Sequence, residues 1–161
     1  MANRIPERSG VTEQYEIAIS NQQSRHAVDE PRLIQAAEAI LQDSPYFSAA
    51  ISLAVVDDAT IHELNRRHLD HDWPTDVLSF VLEDDDTHLD GEVIISADTA
   101  AATAAELGVA PSEEQLLYVI HGMLHLVGYD DKSGDDVRKM REAEARYLQK
   151  FGVEPFRRAA P

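Results

Sequence analysis

The chain has 161 residues, 43% hydrophobic and 6% aromatic, which suits a single globular domain with a sizeable core. It contains no cysteine, which removes disulfides, thiolate zinc sites and cysteine nucleophiles, and fits a reducing compartment. A net charge of −16 argues against a general nucleic-acid coat protein, because phosphate binding draws on Lys and Arg.

The charge is uneven. Residues 132–161 carry eight Lys and Arg against five Asp and Glu, a net +3, leaving −19 on residues 1–131. That tail reads either as a solvated helix of mixed charge or as a basic patch facing an anionic partner. The opening residues MANRIPERSGVTEQYE lack the apolar stretch of a signal peptide, and no run of about 18 apolar residues occurs anywhere. The expectation is a soluble, cytoplasmic protein without membrane association.

Residues 1–13 read as a flexible lead, and residues 14–161 as one domain. YEIAISNQ alternates into a first strand, and DEPRLIQAAEAILQD is a helix with Pro31 near its start. YFSAAISLAVVDD is rich in strand formers, and DATIHELNRRHL has helical spacing at Ile61, Leu64 and Leu69, with Asp58 as its cap. TDVLSFVLE and LDGEVIIS read as strands around an acidic loop whose turn signal is Asp90-Gly91. The triple aspartate 84–86 lacks the spacing of a calcium loop and reads as a solvated hairpin.

Three helical segments follow, ADTAAATAAELG, PSEEQLLYVIHGMLHLVG and SGDDVRKMREAEARYLQKFG. The order β-α-β-α-β-β-α-α-α predicts an α+β domain, a small mixed sheet of about four strands packed by about five helices.

The second of these helices carries the candidate chemistry. Pro111, a capping box of Ser112 and Gln115, and the acidic Glu113 and Glu114 mark its start. It is apolar on nearly every side, so it belongs inside the domain. His121 and His125 stand at i and i+4, about 6 Å of rise apart on one face, where two imidazoles converge on a single ion. Unpaired imidazoles in so apolar a helix would cost free energy. Gly128 ends the helix in a left-handed turn that returns the chain, and Asp131 arrives where a third ligand is needed.

His121, His125 and Asp131 thus read as a metal site with an open position, which is the arrangement of catalytic zinc. The oxygen ligand also admits iron, manganese or nickel. Asp131 cancels a charge that a third histidine would leave in place, which makes a slightly weaker Lewis acid. The spacing matches the extended zinc-binding pattern H-x-x-x-H-x-x-G-x-x-H with aspartate at the last position, a zincin-like metal helix. Gly122 occupies the place of the protease glutamate in H-E-x-x-H, which weakens a peptidase reading.

The segment HGMLHLVGYDD resembles the H-G-x-L-H-L-x-G-Y-D-H signature of the YbeY endoribonucleases, bacterial rRNA maturation factors. LNRRHLDHDWPTDVLSF is similar to that family's L-N-x-x-Y-R-x-x-D-x-P-T-D-V-L-S-F block, GEVIIS to its G-E-I-x-I-S strand, and Met140 with Glu144 to its M-x-x-x-E ending. These blocks span Leu64 to Glu144, and the element order extends the likeness over residues 15–150.

The resemblance implies a zinc-dependent, single-strand-specific endoribonuclease. It would mature the 3′ end of small-subunit rRNA, monitor ribosome quality, and have RNA and ribosomal proteins as partners. The ligands carried over are His121, His125 and Asp131, the last replacing the family's usual histidine. The family's arginine falls on Leu69 and its tyrosine on His68. Arg66, which shares a helix face with position 69, or Arg67 would then supply positive charge, unless both simply solvate a surface helix.

In PTDVLSF, Pro74 starts a strand whose period of two sends Leu78 and Phe80 to one face and Val77 and Ser79 to the other. A sheet edge beside the metal helix would form a groove that Thr75, Asp76 and Ser79 line, although turn chemistry suits Thr75 and Asp76 as well. A second reading is a non-catalytic ribosome-assembly binding factor with a structural metal. The acidic body and Leu69 favour it.

Overall fold

The computed structural model describes residues 14–69 and 75–155. The expected lead over residues 1–13, the strand start at Pro74 and the side chains of His68 and Leu69 lie outside what it describes. Among the described residues the order is β1 (Gln14–Asn21), α1 (Glu30–Gln42), β2 (Ser48–Val56), α2 (Asp58–Leu69), β3 (Val77–Asp84), β4 (His88–Ser96), α3 (Ala97–Leu107), α4 (Pro111–Leu126) and α5 (Gly134–Lys150). This is the predicted α+β succession.

The four strands form one mixed sheet in the order β1-β2-β4-β3. β1 and β4 run parallel to the central β2, while β3 runs antiparallel to β4 along the sheet edge. Helix α1 makes the crossover between β1 and β2. The carboxylate of Asp29 accepts from the Arg32 amide, and Pro31 sits in the first turn, where no donor is lost.

One sheet face carries the main core, in which Leu53, Val55, Val93 and Ile95 meet Ile40, Leu116, Ile120 and Met123. The opposite face is covered at one end by α2, over a smaller cluster of Ala54, Val56, Ile61, Leu78 and Ile94. Leu78 and Phe80 pack on that smaller cluster and Val77 on the main core, as the alternation predicts.

Helix α4 packs against α1, α3, α5, β3 and β4, so it is the central helix of the domain. Its approach to the sheet depends on Gly122, where a Cβ would stand 2.6 Å from Val93 Cγ1 and 3.2 Å from Val77 Cγ2. The place of a protease glutamate is therefore filled by the sheet itself.

Three local expectations are corrected. The N-cap of α4 is Ala110, with no side-chain cap. Ser112 lies inside the helix, and Gln115 donates instead to the Ala27 carbonyl. Asp57, not Asp58, caps α2 by accepting from the Thr60 amide, whereas Asp58 accepts from the hydroxyls of Ser96 and Thr99. Asp90 and Gly91 lie within β4. The turn falls at Asp84–Thr87, where Asp86 has φ 78° and Asp85 accepts from the Thr87 and His88 amides. Gly91 serves close packing, since a Cβ there would sit 2.8 Å from Leu126 Cδ1.

Candidate metal centre

Helix α4 is buried along most of its length, and His121 and His125 are half-buried exceptions on its inner run. Their rings stand edge to face with centroids 4.7 Å apart, as the i, i+4 spacing requires. The helix ends in a paired closure: the Tyr129 amide donates to the Leu124 carbonyl and the Gly128 amide to the His125 carbonyl. Gly128 adopts φ 112°, which a side chain would resist. The loop so turned brings Asp131 back over the histidines.

Asp131 Oδ2 lies 3.3 Å from His125 Nε2 and 3.9 Å from His121 Nε2. Two ligand atoms each about 2 Å from a tetrahedral ion stand roughly 3.3 Å apart, so this donor set fits a transition-metal ion with little adjustment. Two imidazoles and one carboxylate are also the donor chemistry such ions prefer. His121, His125 and Asp131 therefore form a group able to hold a metal.

The other nitrogen of His121 is held from α5. Nδ1 lies 2.6 Å from Oε2 of Glu144, a residue only 4% exposed. A carboxylate can only accept, so Nδ1 carries the proton and the Nε2 lone pair is left facing Asp131. Burial alone would lower the His121 pKa. The hydrogen bond and charge of Glu144, with the charges of Asp76 and Asp131, outweigh it and raise the pKa above its ordinary value.

Beside His121 opens a cavity of about 240 Å³, lined by polar groups that include Asp76, Thr99, Thr103, Glu114, Arg141 and Glu144. Glu114 lies in the first turn of α4, as its charge suggests, yet it is wholly buried in this wall. Arg141, one turn before Glu144 on α5, reaches within 3.4 Å of the Glu144 carboxylate while its side chain stays 73% exposed.

The other sequence candidates divide. Asp76 and Val77 line the cavity, placing the start of β3 beside His121, whereas Thr75 and Ser79 are half-buried and are not among the lining residues. Arg66 pairs with Glu63 on the exposed surface of α2, and neither it nor Arg67 lines the cavity. Sequence reasoning missed the hold of Glu144 on His121 and the place of Arg141. Two signals pointed at Glu144, its place in the M-x-x-x-E ending and its position on the apolar stripe of α5, four residues after Met140, but neither tied it to His121.

A mixed sheet with two histidines on the central helix and an aspartate on the loop that follows it defines an α+β domain with a candidate metal centre. The model of one protein family, described as Endoribonuclease YbeY, matches residues 18–152. The chain is 44% identical over 107 residues to the Endoribonuclease YbeY of Rhodopirellula baltica, a match covering 65% of this chain and 55% of that one. It is 40% identical over 145 residues to the Endoribonuclease YbeY of Syntrophotalea carbinolica, covering 86% and 97%. The solution structure of TM1509 from Thermotoga maritima superposes with a TM-score of 0.57 at 25% identity, over 85% of this chain and 91% of that one. The chain belongs to the YbeY endoribonuclease family.

Proposed function

We propose that this protein is a metal-dependent endoribonuclease that cuts single-stranded RNA, acting in 3′-end maturation of small-subunit rRNA and in ribosome quality control. The observation that carries the reading is the His121–Glu144 pair, which turns Nε2 of His121 toward Asp131 beside a polar cavity. The names of the relatives, Endoribonuclease YbeY, supply the substrate class. His121, His125 and Asp131 are the ligands, and zinc is the ion this donor set suits by default. The ion would supply Lewis acidity toward a phosphate and an attacking water.

The chain's own residues do the rest. Glu144 keeps the proton on Nδ1 of His121 and fixes the ring. Arg141 offers a mobile cation at the rim, where a phosphodiester could replace Glu144 as its partner. Asp76 and Val77 at the edge strand form the wall along which an extended strand would lie. The active domain spans residues 14–161 behind the 1–13 lead, works in the cytoplasm, and meets the ribosome or its proteins. Among the described residues, no helix is long and apolar enough to cross a membrane.

The test is incubation of zinc-loaded protein with single-stranded and duplex RNA, alongside His121→Ala. Cleavage of the single strand by the parent and its loss in the variant is expected; undiminished cleavage by the variant overturns the reading. The net charge of −16 favours a second reading, a ribosome-assembly binding factor with a structural metal. That reading requires ribosome co-sedimentation without RNA cleavage by either protein.

A further inference from the structure

The β3–β4 hairpin carries a second set of ligand-type side chains, away from α4. Asp90 follows His88 by two positions in β4, so both project from the same sheet face. Ser48 of β2 pairs with His88 in register and shares that face. Glu83 reaches it only because of a bulge: the register runs Val81 to Gly91 and then Glu83 to Asp90, leaving Leu82 as the extra residue. Regular pairing would set Glu83 opposite Leu89, whose side chain enters the core on the other face.

His88 Nδ1 lies 2.6 Å from Ser48 Oγ, and Nε2 lies 2.7 Å from Asp90 Oδ1. Ligand atoms of Glu83, His88 and Asp90 all fall within 4.8 Å of one another. The pattern repeats that of His121, with Nδ1 held by an oxygen from a neighbouring element and Nε2 turned to a carboxylate. Without an ion, the Nε2 proton serves Asp90 and the Ser48 hydroxyl donates to Nδ1. With an ion on Nε2, the hydroxyl turns and accepts from Nδ1–H, and the Asp90 carboxylate opens from its 2.7 Å hydrogen bond to the wider spacing two ligands of one ion require.

The geometry points to Glu83, His88 and Asp90 as a second divalent-metal site, of the imidazole and two-carboxylate kind that takes zinc or manganese. The two carboxylates balance the charge of such an ion. The adjoining Asp84, Asp85 and Asp86, with Glu92 on the same strand, deepen the negative potential around it. The carboxylates of Asp84 and Asp85 are already engaged. Asp85 holds the Thr87 and His88 amides, and Asp84 takes the Tyr46 hydroxyl. An ion here would pin the bulge and clamp the edge strand whose other end borders the His121 cavity.

The inference is independent of RNA cleavage and is tested by binding. Full-length protein stripped with a chelator is titrated with zinc by calorimetry, in the parent, His121→Ala, Asp90→Asn and the double variant. The expected stoichiometry is two ions per chain for the parent and one for each single variant. Zinc should raise the melting temperature of His121→Ala but not that of the double variant. Asp90→Asn preserves the shape of the side chain, and Glu83→Gln provides a second variant that leaves His88 and its Ser48 contact intact. Zinc uptake that is the same in Asp90→Asn and Glu83→Gln as in the parent, or that His121→Ala abolishes entirely, overturns the proposal.

Discussion

Nδ1 of His121 and Oε2 of Glu144 stand 2.6 Å apart, joining the central helix α4 to the last helix α5. The contact does two things at once: it sets the tautomer of a candidate ligand and it satisfies a carboxylate that is 4% exposed. Removing Glu144 leaves the ring free to turn and the other nitrogen free to take the proton. Glu144→Ala is expected to weaken zinc binding roughly 10- to 100-fold. Glu144→Gln, whose amide oxygen still accepts from Nδ1–H, should lose less. Zinc competition against a chromogenic chelator measures both, and equal affinity in Glu144→Ala and the parent contradicts the role.

Asp131 is the most exposed of the three candidate ligands and sits on the loop after Gly128, so any hold it has on an ion depends on that loop. Losing a ligand costs more than losing a ligand's support. Asp131→Ala should therefore weaken zinc by more than about 100-fold. Asp131→His restores a nitrogen donor and should retain the metal. Elemental analysis of the purified variants distinguishes the cases, and full zinc content in Asp131→Ala removes Asp131 from the ligand set.

Among the described residues, Arg141 is the Lys or Arg that lines the cavity beside His121. Its contact with Glu144 is 3.4 Å long and its side chain is largely in solvent, so turning toward a phosphate costs little. Arg141→Ala should lower kcat/KM on single-stranded RNA by about tenfold or more while leaving zinc content unchanged, with partial recovery in Arg141→Lys. Unchanged kinetics would assign the arginine to the solvated surface of α5.

Much of this was legible along the chain because it obeys local rules. The i, i+4 histidines share a face in any helix, and a glycine two positions past the last turn closes it wherever it occurs. What was not legible depended on elements far apart in sequence. Glu144 reaches His121 only once α5 has docked. Asp90-Gly91 resembles a turn, yet Leu126 of α4 packs where a Cβ at position 91 would stand, and the chain turns earlier, at Asp84–Thr87. Ser112 and Gln115 have the letters of a capping box, but the Gln115 amide is drawn to the Ala27 carbonyl. Arg66 shares a helix face with position 69, but Glu63, one turn away, takes its guanidinium.

Gly122 shows how one residue bears on both fold and chemistry. Its missing side chain lets α4 approach the sheet until Val93 and Val77 fill the space. Gly122→Ala adds a methyl 2.6 Å from Val93 Cγ1, and the overpacking should cost about 1–3 kcal/mol despite the better helix propensity of alanine. Gly122→Glu, which completes H-E-x-x-H on paper, should fold poorly and gain no peptidase activity, because a charged side chain would enter the sheet-facing core. Urea denaturation of the alanine variant is the direct check. An unchanged or raised midpoint would mean that the sheet yields more readily than its packing indicates.

The alkaline limit of stability follows from Tyr46, whose hydroxyl donates to Asp84 Oδ2 across 2.7 Å at the start of the hairpin turn. Burial, the hydrogen bond to Asp84 and the charges of Asp84, Asp86 and Asp85 together push its pKa from the ordinary 10.0 up to about 12. The native state thus favours the neutral phenol. A pKa raised on folding contributes stability that is fully present below pH 10 and is lost as the pH climbs toward 12. Tyr147, raised by burial and by its bond to Asp43, acts in the same direction. Tyr46→Phe removes the hydrogen bond, so it should be less stable than the parent near neutrality by about 1 kcal/mol. The gap should narrow above pH 10, because the phenylalanine has no proton to lose. Urea midpoints of the two proteins from pH 8 to pH 11.5 measure that gap, and a difference that stays constant across the range would place the alkaline transition elsewhere.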